Sequence, residues 1–163
     1  MKKFLLLAVF SLFSACNSEE MTTYYLIRHA EKDRTNKANR DPSLNKKGQE
    51  RVKIWTNYFE NIDLDAVYST EYKRTMQTAK TIAENKSLEI QNYDPLKMYD
   101  AVFQKETKEK KVLIVGHSNT TPSFVNKILG EKKYKNMNDR DNSTLYIVTI
   151  KGDEKTSIIE IVN

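Results

Sequence analysis

Cysteine and histidine are the scarce residues of this chain: 163 residues contain one Cys and two His. A single thiol excludes an internal disulfide framework and any multi-Cys zinc or iron–sulfur site. Two imidazoles leave almost nothing for a His-rich metal centre. Any chemistry is therefore expected to run without a tightly held metal or another cofactor. Arginine is also sparse, six residues against 21 lysines. The lysines do not form a stripe. The run from Lys105 to Lys111 is broken by Glu106 and Glu109, which reads as a solvated face and not as a nucleic-acid surface. What is present is 39% hydrophobic and 30% charged residues, a polar globule of one domain with room for a core. No repeat and no second domain are visible.

The chain opens with Lys2 and Lys3, an apolar run from Phe4 to Phe13, and then Ser14, Ala15 and Cys16. A cationic start, a short apolar stretch and a small-residue exit are the parts of a secretory signal. The run is too short to span a bilayer. Phe13-Ser14-Ala15-Cys16 resembles the bacterial lipobox, with Phe in place of the usual Leu. The resemblance implies that Cys16 is lipidated and anchors the protein to a bacterial membrane, outside the cytoplasm in the cell envelope. Residues 1–15 are then a signal peptide and 16–22 a tether. Cleavage before Cys16 would leave 148 residues and lower the net charge from +5 to +3.

Beyond the tether, hydrophobic periodicity alternates between two and three-to-four. Residues 22–28 read as a buried strand. A helix follows from Asn45, a candidate cap, through Val52, Trp55, Phe59 and Ile62. Residues 64–69 form a second strand, 70–83 a helix, 88–93 a short strand and 96–108 a helix. The most apolar strand, 112–115, ends at Gly116, and a helix beginning near Pro122 stops at Gly130. Residues 131–142 are polar, either a rim or a solvated loop. Strands 144–150 and 156–162 close as a hairpin. This alternation predicts an α/β three-layer sandwich with a mostly parallel central sheet.

Both histidines stand directly after apolar strands: His29 after 24–28, His117 after 112–116. Open α/β sheets bind ligands at the carboxyl ends of their strands, so the two can share one edge although 88 positions separate them. Arg28 precedes His29, and Arg74 lies one turn into the helix after the second strand. A chain that uses Lys for solvation has placed an Arg at the end of an apolar strand. A buried guanidinium needs an anion, Glu31 or a bound phosphate.

Leu26-Ile27-Arg28-His29-Ala30-Glu31-Lys32 resembles the Arg-His motif of the histidine phosphatase superfamily, the phosphoglycerate mutase-like fold. The segment from Asp41 to Gly48 resembles that family's Asp-x-x-Leu-Ser/Thr-x-x-Gly signature, with Asn45 at the hydroxyl position. The segments 70–79, with Arg74, Gln77 and Thr78, and 115–120, with Gly116-His117, resemble its later motifs. Residues 23–163 are then the domain. The resemblance implies that His29 is the phosphorylated nucleophile and that Arg28, Arg74 and His117 hold phosphoryl oxygens. It also implies a carboxylic acid for the leaving group. Asp94 is the first positional match, Asp100 the second and Glu31 the third. Asp94 reads equally well as an Asp-Pro turn with Pro95.

The short length is similar to the SixA-type branch, some of whose members act on phosphohistidine. The expected activity is a metal-independent phosphatase acting on phosphomonoesters or phosphohistidine, with a phosphorylated small molecule or an envelope glycan as partner. A catalytically silent phosphate-binding module on the same fold is the alternative, and a phosphotransferase or mutase is the third.

Overall fold

Strands that are apolar on both faces must be covered on both faces, and two such strands set the centre of this molecule. The computed structural model describes residues 20–163. Its elements are β1 (Met21–Arg28), α1 (Lys46–Tyr58), β2 (Ala66–Ser69), α2 (Lys73–Asn85), β3 (Ile90–Asn92), α3 (Ala101–Thr107), β4 (Lys111–Gly116), α4 (Thr120–Leu129), β5 (Thr144–Lys151) and β6 (Glu154–Ile161). The element order is the one the periodicity predicts. The expected signal peptide and Cys16 lie outside the described residues. Met21, expected in the tether, instead opens β1, and Thr22, the last tether residue and the first of the expected strand, belongs to the strand. Thr22 is buried, and its hydroxyl accepts the Glu109 N–H at 2.8 Å.

The sheet order is β3-β2-β4-β1-β5-β6. The first four strands are mutually parallel, and β5 and β6 are added antiparallel. Side chains alternate across a strand, so Val112 and Ile114 face one way and Leu113 and Val115 the other. Leu113 and Val115 meet Trp55 of α1, Phe59 at its C-cap, and Ala79 and Ile82 of α2. Val112 and Ile114 meet Phe103 of α3 and Phe124, Val125 and Ile128 of α4. Two helices therefore cover each face of a mixed, mostly parallel sheet, the three layers expected.

Three local interactions fix the helix starts. Asn45 caps α1 as expected, its Oδ1 accepting the Gly48 N–H at 2.9 Å. α2 begins at Lys73 and not at 70, because Asp41 Oδ1 accepts the Lys73 N–H at 2.9 Å. α3 begins at Ala101 and not at 96. Asp100 caps it through the Phe103 N–H at 2.9 Å, and the preceding residues are folded into a turn by Asp94.

Gly116 ends β4 where a Cβ would come within 3 Å of Tyr93 Oη, Thr120 Oγ1 and Thr121 Oγ1. Gly116→Ala is expected to destabilise the fold by ~1–3 kcal/mol through overpacking, read as a lower urea midpoint.

Candidate active site

The ends of β1, β2 and β4 converge on one pocket of about 520 Å³. His29 is held there by continued sheet pairing. Its N–H donates to Gly116 O at 2.9 Å, one residue beyond the β1–β4 ladder. Its carbonyl accepts from Asn142 Nδ2 at 2.7 Å, and the next N–H, of Ala30, donates to Thr78 Oγ1 at 2.9 Å. His29 is 2% exposed. Nδ1 lies 2.7 Å from Ala30 O, and a carbonyl can only accept. That contact assigns the proton to Nδ1 and the lone pair to Nε2. Burial pushes the His29 pKa down to about 3. The Ala30 bond opposes this, and the charges of Arg28, His117 and Arg74 add to it. At neutral pH His29 is an uncharged imidazole with one free nitrogen.

Two guanidiniums flank it. Arg28 is 1% exposed. Its Nη1 donates to the carbonyls of Asn138 (3.0 Å) and Asp141 (3.1 Å), and its Nη2 to Asp139 Oδ1 (2.9 Å). Arg74 Nη1 is 3.6 Å from Asp41 Oδ1, and its guanidinium lies over the Tyr72 ring at 4.4 Å. Arg28 Nε, Arg74 Nε and Arg74 Nη1 are buried nitrogens that donate to no protein acceptor among the described residues. Buried donors of a cation are costly to leave unmade, and a tetrahedral oxyanion is the complement they fit.

His117 completes the group, its ring centroid 5.5 Å from that of His29. Arg74 Nη2 lies 3.4 Å from His117 Nδ1, and a guanidinium can only donate, so Nε2 carries the proton towards Thr70 Oγ1 at 3.0 Å. Burial, then the charges of Arg74, Arg28 and Lys32, lower its pKa to about 4. Ser118, Asn119 and Thr120, at the N-terminus of α4, line the same pocket, as does Lys32. The positive end of the helix dipole adds to the field of the arginines.

The structure thus brings Arg28, His29, Arg74 and His117 together. It does not bring the three candidate acids into the lining. Asp94 Oδ1 accepts the Leu96 N–H at 2.8 Å, the Asp-Pro turn that its sequence also allowed. Asp100 caps α3. Glu31 is directed to Lys47 and Arg51, both at 3.8 Å. The carboxylate that lines the pocket is Asp139, in the polar stretch that could be read as a rim or a plain loop. Its oxygens bond Arg28 Nη2 at 2.9 Å and Arg34 Nη1 at 2.7 Å. Hydrogen bonding by Arg34, and the nearby charges, lower its pKa to about 2 against some burial. Asp41, Thr70, Thr78 and Asn142 position the functional groups. Asp41 and Thr78 stood in recognisable motifs, but nothing in the sequence pointed to Asn142 or Asp139.

The model of the histidine phosphatase superfamily (branch 1) matches residues 24–101 of this chain, which include Arg28, His29 and Arg74 and end before His117. Over 100 residues the chain is 33% identical to Phosphoserine phosphatase 1 of Hydrogenobacter thermophilus, covering 55% of this chain and 47% of that protein. The chain thus spans about half the length of that curated relative. A phosphoglycerate mutase from Bacillus anthracis superposes with a TM-score of 0.66 at 16% identity, over 88% of this chain and 93% of that one. A SixA protein from Agrobacterium tumefaciens does so at 0.62 and 21% identity, over 84% and 96%. These likenesses show a phosphoglycerate mutase-like α/β fold, and residues 24–101 are similar to the histidine phosphatase superfamily (branch 1) model.

The two lowered imidazole pKa values make stability depend on pH. Unfolded, both rings take up a proton near 6.5; folded, they refuse it until about 4 and about 3. Their contribution is complete above pH 6.5 and is lost as pH falls through that window. The urea midpoint should therefore drop from pH 7 to pH 4.5, by the equivalent of roughly 5 kcal/mol for the two rings together. His29→Asn should show a shallower drop.

Proposed function

We propose that this chain, through its histidine phosphatase superfamily domain, is a metal-independent phosphatase acting on phosphomonoesters by way of a phosphohistidine intermediate on His29. The observation that carries this reading is a neutral imidazole with a free Nε2 beside buried guanidinium nitrogens that have no hydrogen-bond acceptor among the described residues. The lone pair on Nε2 attacks phosphorus, a P–N bond forms and the ester P–O bond breaks. Water then attacks the same phosphorus, releasing phosphate and restoring the imidazole. Phosphoryl transfer asks mainly for alignment and for stabilisation of charge on the equatorial oxygens. Arg28, Arg74, Lys32 and the α4 N-terminus supply that charge from fixed positions. His117 adds a ring whose proton can be redirected to an oxygen once an anion is bound.

The purified protein should hydrolyse an artificial phosphomonoester in EDTA. His29→Ala should lower kcat by at least about 10³-fold, and rapid quenching should trap acid-labile phosphate on the wild-type protein. Full activity in that variant would refute the mechanism. Phosphate binding without turnover across a broad ester panel would favour a silent binding module.

We propose also that Cys16 carries a lipid anchor on the outer side of a bacterial membrane. The cationic, apolar and small-residue segment ending at Cys16 supports this. Cys16→Ser should release the protein from the membrane fraction, and mass spectrometry should find acylation at Cys16 of the wild type.

A further inference from the structure

One side of the pocket mouth is apolar. Tyr72, before α2, and Pro95, Leu96 and Met98, between β3 and α3, line it together with the phosphoryl-binding groups. Leu96 is 92% exposed and Tyr72 43%. A lone exposed leucine is ordinary, but apolar side chains gathered from two elements at the mouth of an anion site form a surface that a ligand can cover. Both are held in place. Tyr72 lies under the Arg74 guanidinium and meets the His117 ring at 5.0 Å and 87°. Leu96 is presented by a turn that Asp94 closes twice, through the Leu96 N–H at 2.8 Å and the Lys97 N–H at 3.0 Å.

The polar side supplies an independent observation. The carboxylate there, Asp139, is bound by two guanidiniums and stands as an anion, not as a proton donor. Asp94, Asp100 and Glu31 are engaged elsewhere. Lys32 also lines the pocket, and its ammonium can balance negative charge on a departing oxygen.

We infer that the substrates of this site are aryl phosphates, esters of the phosphotyrosine class, whose phenolic leaving group packs against Tyr72, Leu96 and Met98 and departs as a phenolate. The inference rests on the phosphatase reading above and narrows it. A phenol has a pKa of about 10, whereas an alkanol's is close to that of water, about 15.7. A phenolate can leave with its electron pair and take a proton from water afterwards. An alkoxide needs that proton in the transition state, and a positioned acid supplies ~10²–10⁴-fold in rate. In the proposed step His29 Nε2 forms the bond to phosphorus, the P–O(aryl) bond breaks towards oxygen, and water later cleaves the P–N bond.

The test compares phosphotyrosine, phosphoserine, a sugar phosphate and a series of substituted phenyl phosphates on the full chain. The expected kcat/KM for phosphotyrosine exceeds that for the two alkyl esters by on the order of 100-fold or more, and within the phenyl series it rises as the leaving-group pKa falls. Leu96→Ser should raise KM for phosphotyrosine about 5-fold more than for phosphoserine. Equal or better turnover of the alkyl esters, or an unchanged ratio in Leu96→Ser, overturns the inference and leaves the phosphatase reading intact. No turnover of any ester overturns the phosphatase reading. In that case binding of phenylphosphonate against methylphosphonate, measured by calorimetry, decides the apolar wall, and equal affinities overturn it.

Discussion

The guanidinium of Arg28 sits at the end of the central strand, buried beneath a loop that begins more than 100 residues later in the chain. A cation there is untenable without acceptors. The loop provides them with two backbone carbonyls and the carboxylate of Asp139, itself shared with Arg34. This constraint orders the rest. It fixes residues 138–141 over the strand end, and Asn142 from the same loop then reaches the carbonyl of His29. The position of the His29 imidazole follows from how one buried charge is satisfied.

The same charge governs the protonation of the pocket. Burial alone would favour neutral imidazoles, and the arginines strengthen the effect on both His29 and His117. A field that favours an anion in the pocket therefore also keeps His29 Nε2 unprotonated. In the proposed mechanism, anion recognition and nucleophile activation have one electrostatic origin. They do not require a separate base beside His29.

The sheet and its helices were legible because buried strands and amphipathic helices leave periods that survive in a single sequence. Residues 112–115 and the spacing of Val52, Trp55 and Phe59 are examples. The ends of helices were less legible, since they depend on partners from elsewhere: α2 starts where Asp41, 32 positions earlier, accepts its first N–H. In the site, strand-end histidines and sparse arginines were conspicuous by position. Asp139 was not, because it stands among other polar residues of an irregular stretch and only the folded loop brings it to Arg28. Asp94 was conspicuous in two ways that its sequence left open. Its place after β3 suggested chemistry, while its side chain closes a turn and presents Leu96.

The central strand takes its neighbours from residues 111–116 on one side and 144–151 on the other. Such pairings close long loops, which slows folding relative to local contacts. Until both have formed, His29 is an ordinary solvated imidazole, half-protonated near pH 6.5 and aligned with nothing. The proposed reactivity is thus a property of the finished topology and not of any segment. A folding intermediate that lacks the last hairpin has the same residues and none of the chemistry.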